Sequence, residues 1–254
     1  MGITEQRQQL ILAELQRDAR VTVKNLAERL RISTETIRRD LKELEQHGHA
    51  RRVYGGAVID SKEGDQPFVD RLRVNARGKA RIGAAAMSFI EDGMKIFVDT
   101  GTTTLAFARH LVNRPKVSVH TNSIEIVSLL SGNPAADVTV LGGVLKPSYK
   151  ALFGHQTVKA VQEHVYDAIV MSICTVHPAH GFMDFGEEEA VLRRAARAQG
   201  GRAIMLADSA KFGRLGSVRT FDLGEVDVLV TDAIPAPEYL EQFSQSKVDV
   251  LHAQ

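Results

Sequence analysis

Two short segments of this 254-residue chain carry side chains that suit contact with phosphate groups, each by a different chemistry. The first is a cationic run around Arg38, Arg39 and Lys42, whose guanidinium and ammonium groups are the types that contact DNA phosphates and base edges. The second is residues 99–104, where hydroxyl groups and backbone N–H groups beside a glycine can surround an anion. Each of these two kinds of phosphate contact requires secondary structure that holds the side chains or N–H groups in position.

The cationic run lies on a predicted helix that begins near Ser33 and Thr34. Either hydroxyl can cap the first free N–H groups, and Ile37, Leu41 and Leu44 then recur at the spacing of one buried helix face. At about 100° per residue, the cationic side chains point away from that face. The residues of this helix predicted to contact DNA are Ser33, Thr34, Thr36, Arg38, Arg39 and Lys42.

The flanking segments complete a winged helix-turn-helix. A short helix with an apolar face at Leu26, Ala27 and Leu30 leads through a tight connection into the cationic helix, and an upstream helix covers the pair. Downstream, basic, apolar and aromatic residues alternate and end at a glycine pair, a pattern typical of a β-hairpin wing. The wing residues predicted to contact phosphate or sugar are Arg51, Arg52 and Tyr54.

The cationic residues have a simpler interpretation as a solvated helix face, paired with nearby acidic residues, namely Glu35, Asp40, Glu43 and Glu45. The position of the run on the second helix of a pair, followed by a basic wing, favours DNA binding. Residues 1–58 hold 11 Lys and Arg against 8 Asp and Glu, whereas the whole chain has a net charge of +1. Because this excess is modest, we expect paired heads on paired half-sites, and therefore a homo-oligomer, either a dimer or a tetramer.

A polar stretch separates this head from a second domain. We predict a DNA-binding domain at 1–58, a linker at 59–67 and an effector-sensing domain at 68–254. Short apolar runs in the second domain alternate with helical patterns, which predicts a mainly parallel sheet flanked by helices. The predicted strands are Lys95–Val98, Val117–Val119, Val138–Leu141, Ala168–Met171, Ala203–Leu206 and Val226–Val230.

The hydroxyl-rich residues 99–104 follow the first of these strands and enter a helix near Leu105. A helix N-terminus has free N–H groups and the positive end of the helix dipole, so it suits an anionic oxygen cluster. An ordinary capped turn is the simpler alternative. Polar residues also follow the later strands, and the carboxyl ends of parallel strands meet at one edge, which favours a small ligand with an anionic group. These groups are Thr121 to Ser123, Gly142 and Gly143, Ser172 to His180, and Asp208 to Gly213, with Lys211 as a phosphate partner.

The composition of the chain limits the classes of protein to which it can belong. The chain is 44% hydrophobic and 25% charged, with one cysteine, which excludes a disulfide framework within the chain. We expect a cytoplasmic protein, because the sequence has neither a signal-peptide pattern nor an apolar run near the roughly 20 residues that span a bilayer. Cys174, His177 and His180 have the spacing of metal ligands but lack a fourth, so a ligand-lining loop or surface turn is the expected alternative. We expect neither a metal nor a cofactor.

With both halves considered, the chain resembles the DeoR family of bacterial transcription regulators across nearly its whole length. The motifs that carry the resemblance are residues 36–41 and 52–57 in the head, and residues 99–103, 121–123, 142–143 and 208–213 in the second domain. The resemblance implies a winged helix-turn-helix joined to a domain similar in fold to ribose-5-phosphate isomerase. It also implies a repressor of a sugar or sugar-alcohol catabolic operon, whose affinity for operator DNA is controlled by a phosphorylated sugar.

The resemblance also implies where the effector binds. The phosphate is expected to contact the loop at residues 100–104 together with Lys79 and Lys211. Asn122 and Glu189 are expected to face the sugar. The full set of implied effector-binding residues is Lys79, Asp99, Thr100, Gly101, Thr102, Thr103, Thr104, Asn122, Gly143, Glu189 and Lys211.

The residues at 172–175 distinguish a regulator from an enzyme. The isomerases have catalytic aspartates just after the strand that corresponds to Ala168–Met171, but here the chain reads Ser172-Ile173-Cys174-Thr175. An acid and base pair is missing there, so we expect a sugar phosphate to bind without turnover. The chain also differs from its apparent family there, where a glycine-rich segment is common. The alternative is a sugar-phosphate isomerase-like enzyme with an appended DNA-binding head.

Overall fold

The structure, a computed structural model, describes residues 3–18, 20–46, 50–53, 55–59 and 68–254. The chain divides into two compact units, one formed by residues 1–65 and 213–215 and the other by residues 66–212 and 216–254. Apart from Ile59, the predicted linker lies outside the described residues.

Within its described residues, the first unit, the head, has three helices and three short strands. Its elements are α1 (Ile3–Asp18), β1 (Arg20–Thr22), α2 (Val23–Leu30), α3 (Thr34–Gln46), β2 (Ala50–Val53) and β3 (Gly56–Ile59). The strands form an antiparallel sheet in the order β1, β3, β2, in which the β2–β3 hairpin is the wing. Together these elements form a winged helix-turn-helix.

One apolar core holds the head together. Ile37, Leu41 and Leu44 of α3 are almost fully buried, as their helical spacing predicted, and they pack with Ile11 and Leu15 of α1. The turn between α2 and α3 passes through Arg31 in the left-handed conformation, which ends α2 and redirects the chain. The core therefore fixes which face of α3 meets solvent.

The second unit, the sensor, alternates strands and helices. Its helices are α4 (Phe68–Arg73), α5 (Ala76–Ala86), α6 (Thr102–Leu111), α7 (Ile124–Leu130), α8 (His155–Gln162), α9 (Glu187–Arg197) and α10 (Pro237–Gln245). Its strands are β4 (Lys95–Val98), β5 (Ser118–Thr121), β6 (Asp137–Val140), β7 (Val144–Lys146), β8 (Ala151–Phe153), β9 (Ala168–Ser172), β10 (Thr175–His177), β11 (Gly181–Asp184), β12 (Arg202–Leu206), β13 (Val218–Phe221), β14 (Val228–Thr231) and β15 (Asp249–His252).

Seven of these strands form one parallel sheet in the order β15, β14, β12, β9, β4, β5, β6. Two apolar clusters flank it, as expected for a sheet with both faces covered. Two smaller antiparallel sheets accompany it, β10–β11–β13 and β7–β8. The predicted fold class, a winged helix-turn-helix followed by a mainly parallel α/β domain, is confirmed.

All six strands predicted from apolar runs are present in the large sheet; Lys95–Val98 matches β4 at both ends, and the others differ by one or two residues at one or both ends. The seventh, β15, was not predicted, because its four residues mix charged and apolar side chains at one edge. Strand order places the ends of β4, β5, β9 and β12 side by side. The polar segments that follow these strands therefore meet at one edge of the sheet.

Candidate DNA interface and effector site

The start of α3 is fixed by a side-chain cap. The Ser33 hydroxyl accepts a hydrogen bond from the Thr36 backbone N–H at 3.1 Å, and the two hydroxyl groups lie 2.9 Å apart. Thr34 is the first residue of the helix and is exposed. Of the two predicted caps, Ser33 is the one that accepts this bond, and it leaves the Thr34 side chain on the surface.

The cationic side chains of α3 face solvent. The Arg38 side chain is 60% exposed and that of Arg39 is 83% exposed, and Lys42 is exposed one helical turn beyond Arg38. Six of the predicted DNA-binding residues line a single open groove, namely Ser33, Thr36, Arg38, Arg39, Lys42 and Arg52. The head therefore presents a concave cationic surface formed by the second helix of the pair and by the wing.

Acidic neighbours touch these cations without covering them. Arg38 lies 3.2 Å from a Glu35 carboxylate oxygen. Arg52 forms a tighter pair with Glu45, at 2.7 Å from its guanidinium and 2.9 Å from its backbone N–H, and both bonds lower the pKa of Glu45. Exposed pairs of this kind contribute little to stability, so the guanidinium groups remain available to a polyanion.

Asp40 has a different role from the one that the solvated-face interpretation gave it. Its carboxylate is almost fully buried and accepts two bonds from the Arg7 guanidinium, at 2.5 and 2.8 Å. The pair joins α1 to α3, so Asp40 holds α3 in place against α1. Arg51 lies on β2, but its side chain and the whole of Tyr54 lie outside the described part of the chain.

In the sensor, residues 99–101 connect β4 to α6, and residues 102–104 form the first turn of α6. Gly101 is the N-cap of α6 and supplies no side-chain acceptor, so the first N–H groups of the helix, at Thr102 to Thr104, point from the sheet edge without a cap. A Cβ atom at Gly101 would lie 2.2 Å from the Ser172 hydroxyl oxygen. Glycine is therefore required for the loop to lie against the end of β9.

Asn122 fixes the shape of this loop. Its side-chain oxygen accepts a hydrogen bond from the Thr100 N–H at 3.0 Å, and its amide donates to the Leu152 carbonyl at 3.2 Å. The residue is fully buried. In this structure Asn122 therefore positions the loop from the neighbouring strand.

Gly143 lies next to β8 at a φ of +153°. A Cβ atom there would lie 2.1 Å from the Thr157 hydroxyl and 2.6 Å from the Phe153 carbonyl oxygen. The glycine therefore allows the chain to approach β8 closely, which is a packing role.

Asp99 belongs to a buried charge cluster. The Arg193 guanidinium donates to its carboxylate at 2.7 Å and lies 2.5 Å from the carboxylate of Asp184, and all three side chains are at most 5% exposed. Burial raises the pKa of Asp99 to about 6, an effect that Arg193 opposes. Sequence reasoning missed Arg193 and Asp184, because they lie on distant elements and follow no recognisable motif.

Lys79 and Lys211 lie near the same buried carboxylate, Asp208. Lys79 is 4% exposed, and its ammonium donates to the Arg71 carbonyl at 2.7 Å. Burial lowers the pKa of Lys79 to about 8; the charge of Asp208 opposes this shift and that of Lys211 adds to it. The structure therefore brings together two cations that the sequence places 132 residues apart.

Glu189 is 2% exposed, and neither of its carboxylate oxygens has a hydrogen-bond partner among the described residues. It lies within electrostatic range of Cys174, as do Lys211 and Arg193. Burial raises the pKa of Cys174 to about 12, so the thiol is protonated at neutral pH. The segment after β9 thus borders the predicted effector residues.

The metal-ligand alternative for Cys174, His177 and His180 gains no geometric support. The two histidine rings are 4.8 Å apart, and His177 Nδ1 accepts a hydrogen bond from the Ala179 N–H. Across the residues that the structure describes, no three His, Cys, Asp or Glu side chains are arranged to hold a metal ion.

Comparison with known families identifies both units. The family model of the DeoR-like helix-turn-helix domain matches residues 7–63, and that of the DeoR C terminal sensor domain matches residues 74–233. The chain belongs to the DeoR family. It is therefore a DNA-binding transcription regulator with a sensor domain, as the sequence motifs predicted.

Proteins named as transcriptional repressors align along nearly the whole chain. The chain is 30% identical to the HTH-type transcriptional repressor GlcR of Bacillus subtilis strain 168, an alignment covering 97% of this chain and 95% of the relative. It is 30% identical to a putative aga operon transcriptional repressor of Escherichia coli O157:H7, covering 98% and 94%. It is 26% identical to the glycerol-3-phosphate regulon repressor of Escherichia coli strain K12, covering 96% and 97%.

Among solved structures, this DeoR-family chain aligns with ribose 5-phosphate isomerase A from Methanocaldococcus jannaschii. The identity is 19%, the TM-score is 0.41, and the alignment covers 54% of this chain and 55% of that one. Of the helices that the structure describes in either unit, none has the length and apolar composition to cross a bilayer.

Proposed function

We propose that this DeoR-family regulator represses a sugar or sugar-alcohol catabolic operon, and that a phosphorylated sugar controls its affinity for operator DNA. The observation that carries the DNA half of this proposal is the groove of the head, where Arg38, Arg39, Lys42 and Arg52 face solvent together. In a winged helix-turn-helix the second helix enters the major groove, so Arg39 and Lys42 reach base edges and Arg52 reaches the backbone.

The sensor half of the proposal rests on the edge of the large sheet. Free N–H groups at the start of α6 and the ammonium groups of Lys79 and Lys211 suit a phosphate. The buried Glu189 carboxylate has no hydrogen-bond partner in the described part of the chain and suits sugar hydroxyl groups. The relatives named as repressors of the glycerol-3-phosphate regulon and of the aga operon support the repressor role.

We also propose that the sensor binds its effector without turnover. The segment after β9 has no carboxylate, and the nearby carboxylates of Asp99 and Asp184 are both held by the Arg193 guanidinium. A catalytic base has to be free to accept a proton. Glu189 is the one remaining candidate among the predicted site residues, and it is the residue to test.

The proposed organisation is a head at 1–58, a linker at 59–67 and a sensor at 68–254, assembled as a dimer or tetramer. The charge of one head is small, and two heads on paired half-sites bind more tightly than one because the second contact is intramolecular. Operator affinity then depends on how the assembly spaces its heads.

Paired substitutions test the division of labour. We expect Arg39→Ala to weaken operator binding by about 10-fold or more and to leave effector binding intact, because a specific base contact is lost. We expect Lys211→Ala to weaken effector binding by about 10-fold or more and to leave operator binding intact. Fluorescence anisotropy with the DNA upstream of the protein's own gene measures the first, and calorimetry with a panel of sugar phosphates measures the second.

The matched controls are Arg29→Ala, on α2 outside the groove, and Lys116→Ala, on the sensor surface. Loss of both activities in either test variant, with folding intact, contradicts the division of labour. Isomerase activity on pentose or hexose phosphates that disappears in Glu189→Ala would establish the enzyme alternative.

A further inference from the structure

Asp232 occupies a central position in the sensor that neither the motifs nor the family match explains. It directly follows β14, and its side chain is 7% exposed. One carboxylate oxygen accepts the Ser209 backbone N–H at 2.7 Å, and the other accepts the side-chain amide of Asn75 at 2.8 Å. Burial raises the pKa of Asp232, but the hydrogen bonds outweigh it and lower the pKa below its usual value, so the group is a carboxylate at neutral pH.

The two partners of Asp232 belong to the two arms of the proposed phosphate site. Ser209 begins the turn that carries Lys211, whose own N–H bonds back to the Asp208 carbonyl. Asn75 lies between α4 and α5, and its carbonyl accepts the Lys79 N–H at 3.0 Å. One carboxylate therefore bridges the two chain segments that carry the two lysines.

The backbone at Asn75 and Gly78 allows the Asp232 carboxylate to approach α5. Asn75 has a φ of +48°, a left-handed conformation that asparagine tolerates better than most residues. A Cβ atom at Gly78 would lie 2.3 Å from an Asp232 carboxylate oxygen, so only glycine lets the carboxylate approach α5 this closely. The Arg81 guanidinium of the same helix bonds the Asp232 carbonyl at 3.2 Å.

The turn before α5 also leads to α4, the first described element after the predicted linker. The Lys79 ammonium donates to the Arg71 carbonyl near the end of α4. We propose that Asp232 is a positioning residue that links occupancy of the Lys79 and Lys211 site to the conformation of the α4–α5 turn. The effector thereby acts on the segment that continues into the linker. This inference rests on the proposed phosphate site.

Asn75→Gly isolates the link, because glycine keeps the left-handed backbone and removes the donor to Asp232. Lys247→Gly is the matched control, since Lys247 has a φ of +59° after α10. Asn75→Asp is a second variant, in which an isosteric carboxylate replaces the donor. All are studied as the full chain by hydrogen exchange, with and without inorganic phosphate at constant ionic strength.

In the wild type, we expect phosphate to slow amide exchange in both residues 208–212 and residues 71–79. In Asn75→Gly and Asn75→Asp, residues 208–212 should keep their protection, while the effect on residues 71–79 should fall at least threefold. Lys247→Gly should behave as the wild type.

Two results would overturn the link while leaving the phosphate site intact. One is full protection of residues 71–79 in both Asn75 variants. The other is a wild type in which only residues 208–212 respond. If neither segment responds in the wild type, the phosphate site itself is wrong, and the inference fails with it.

Discussion

At the scale of single residues, burial lowers the pKa of Lys79, a predicted phosphate contact. This lysine is 4% exposed and lies near the buried carboxylate of Asp208. A buried ammonium is costly to keep charged, so an arriving phosphate stabilises the charged form. Effector binding and the protonation of Lys79 are therefore linked.

This linkage predicts the pH dependence of effector binding. The pKa of Lys79 is about 8, so its ammonium is lost as the pH rises through that value, and the attraction for phosphate is lost with it. We expect the affinity for a sugar phosphate to fall by up to about 10-fold between pH 7 and pH 9. Calorimetry at fixed ionic strength measures this, and Lys79→Met should flatten the curve. If the affinity falls equally steeply with pH in the wild type and in Lys79→Met, Lys79 is not the group that causes the pH dependence.

The burial of His120 leads us to predict that the protein loses stability in acid. It is 4% exposed and pairs with the Tyr166 hydroxyl at 3.3 Å, and burial lowers its pKa to about 4. Because an unfolded histidine has a pKa near 6.5, the unfolded chain takes up the proton first as the pH falls. Stability is therefore complete above about pH 6.5 and declines by about 3 kcal/mol as the pH falls through 4.

Urea unfolding at several pH values checks this prediction. His120→Gln should show a shallower decline of the free energy of unfolding between pH 6.5 and pH 4 than the wild type. His155→Gln is the control, because His155 is exposed on α8. If His120→Gln loses stability as steeply as the control, another group causes the acid sensitivity.

At the scale of elements, α3 is set by its cap and by the Arg7–Asp40 pair. Ser33→Ala removes the acceptor for the Thr36 N–H and should destabilise the first turn by about 1 kcal/mol. Hydrogen exchange of the first amides of α3 should then be about fivefold faster than in the wild type. Thr34→Ala leaves the cap in place and is the control. Equal exchange in the two variants would show that the cap contributes nothing.

The secondary-structure elements are the part of the fold that the sequence could predict. The apolar spacing of Ile37, Leu41 and Leu44 defined the recognition helix, and the β-branched runs defined six of the seven sheet strands, because both patterns are local. Asp99 was assigned to the effector, but its partner Arg193 comes from α9, 94 residues later. Asp232 was not identified, since its partners are far away in sequence. Long-range pairing is invisible to local patterns.

At the scale of the whole molecule, the two proposed activities occupy separate units joined by one segment. We propose that operator binding belongs to the groove of the head and that effector binding belongs to the edge of the sensor sheet. A ligand changes operator affinity only if it binds one arrangement of the assembly more tightly than another, and this coupling is reciprocal. Bound operator should therefore alter effector affinity by the same factor.

The most direct test of the account is operator binding with and without a panel of phosphorylated sugars, using the DNA upstream of the protein's own gene at fixed salt. We expect one compound to change operator affinity, and we expect that change to disappear in Lys211→Ala. Operator binding that no sugar phosphate alters would confirm the head but contradict the effector site at residues 99–104, Lys79 and Lys211.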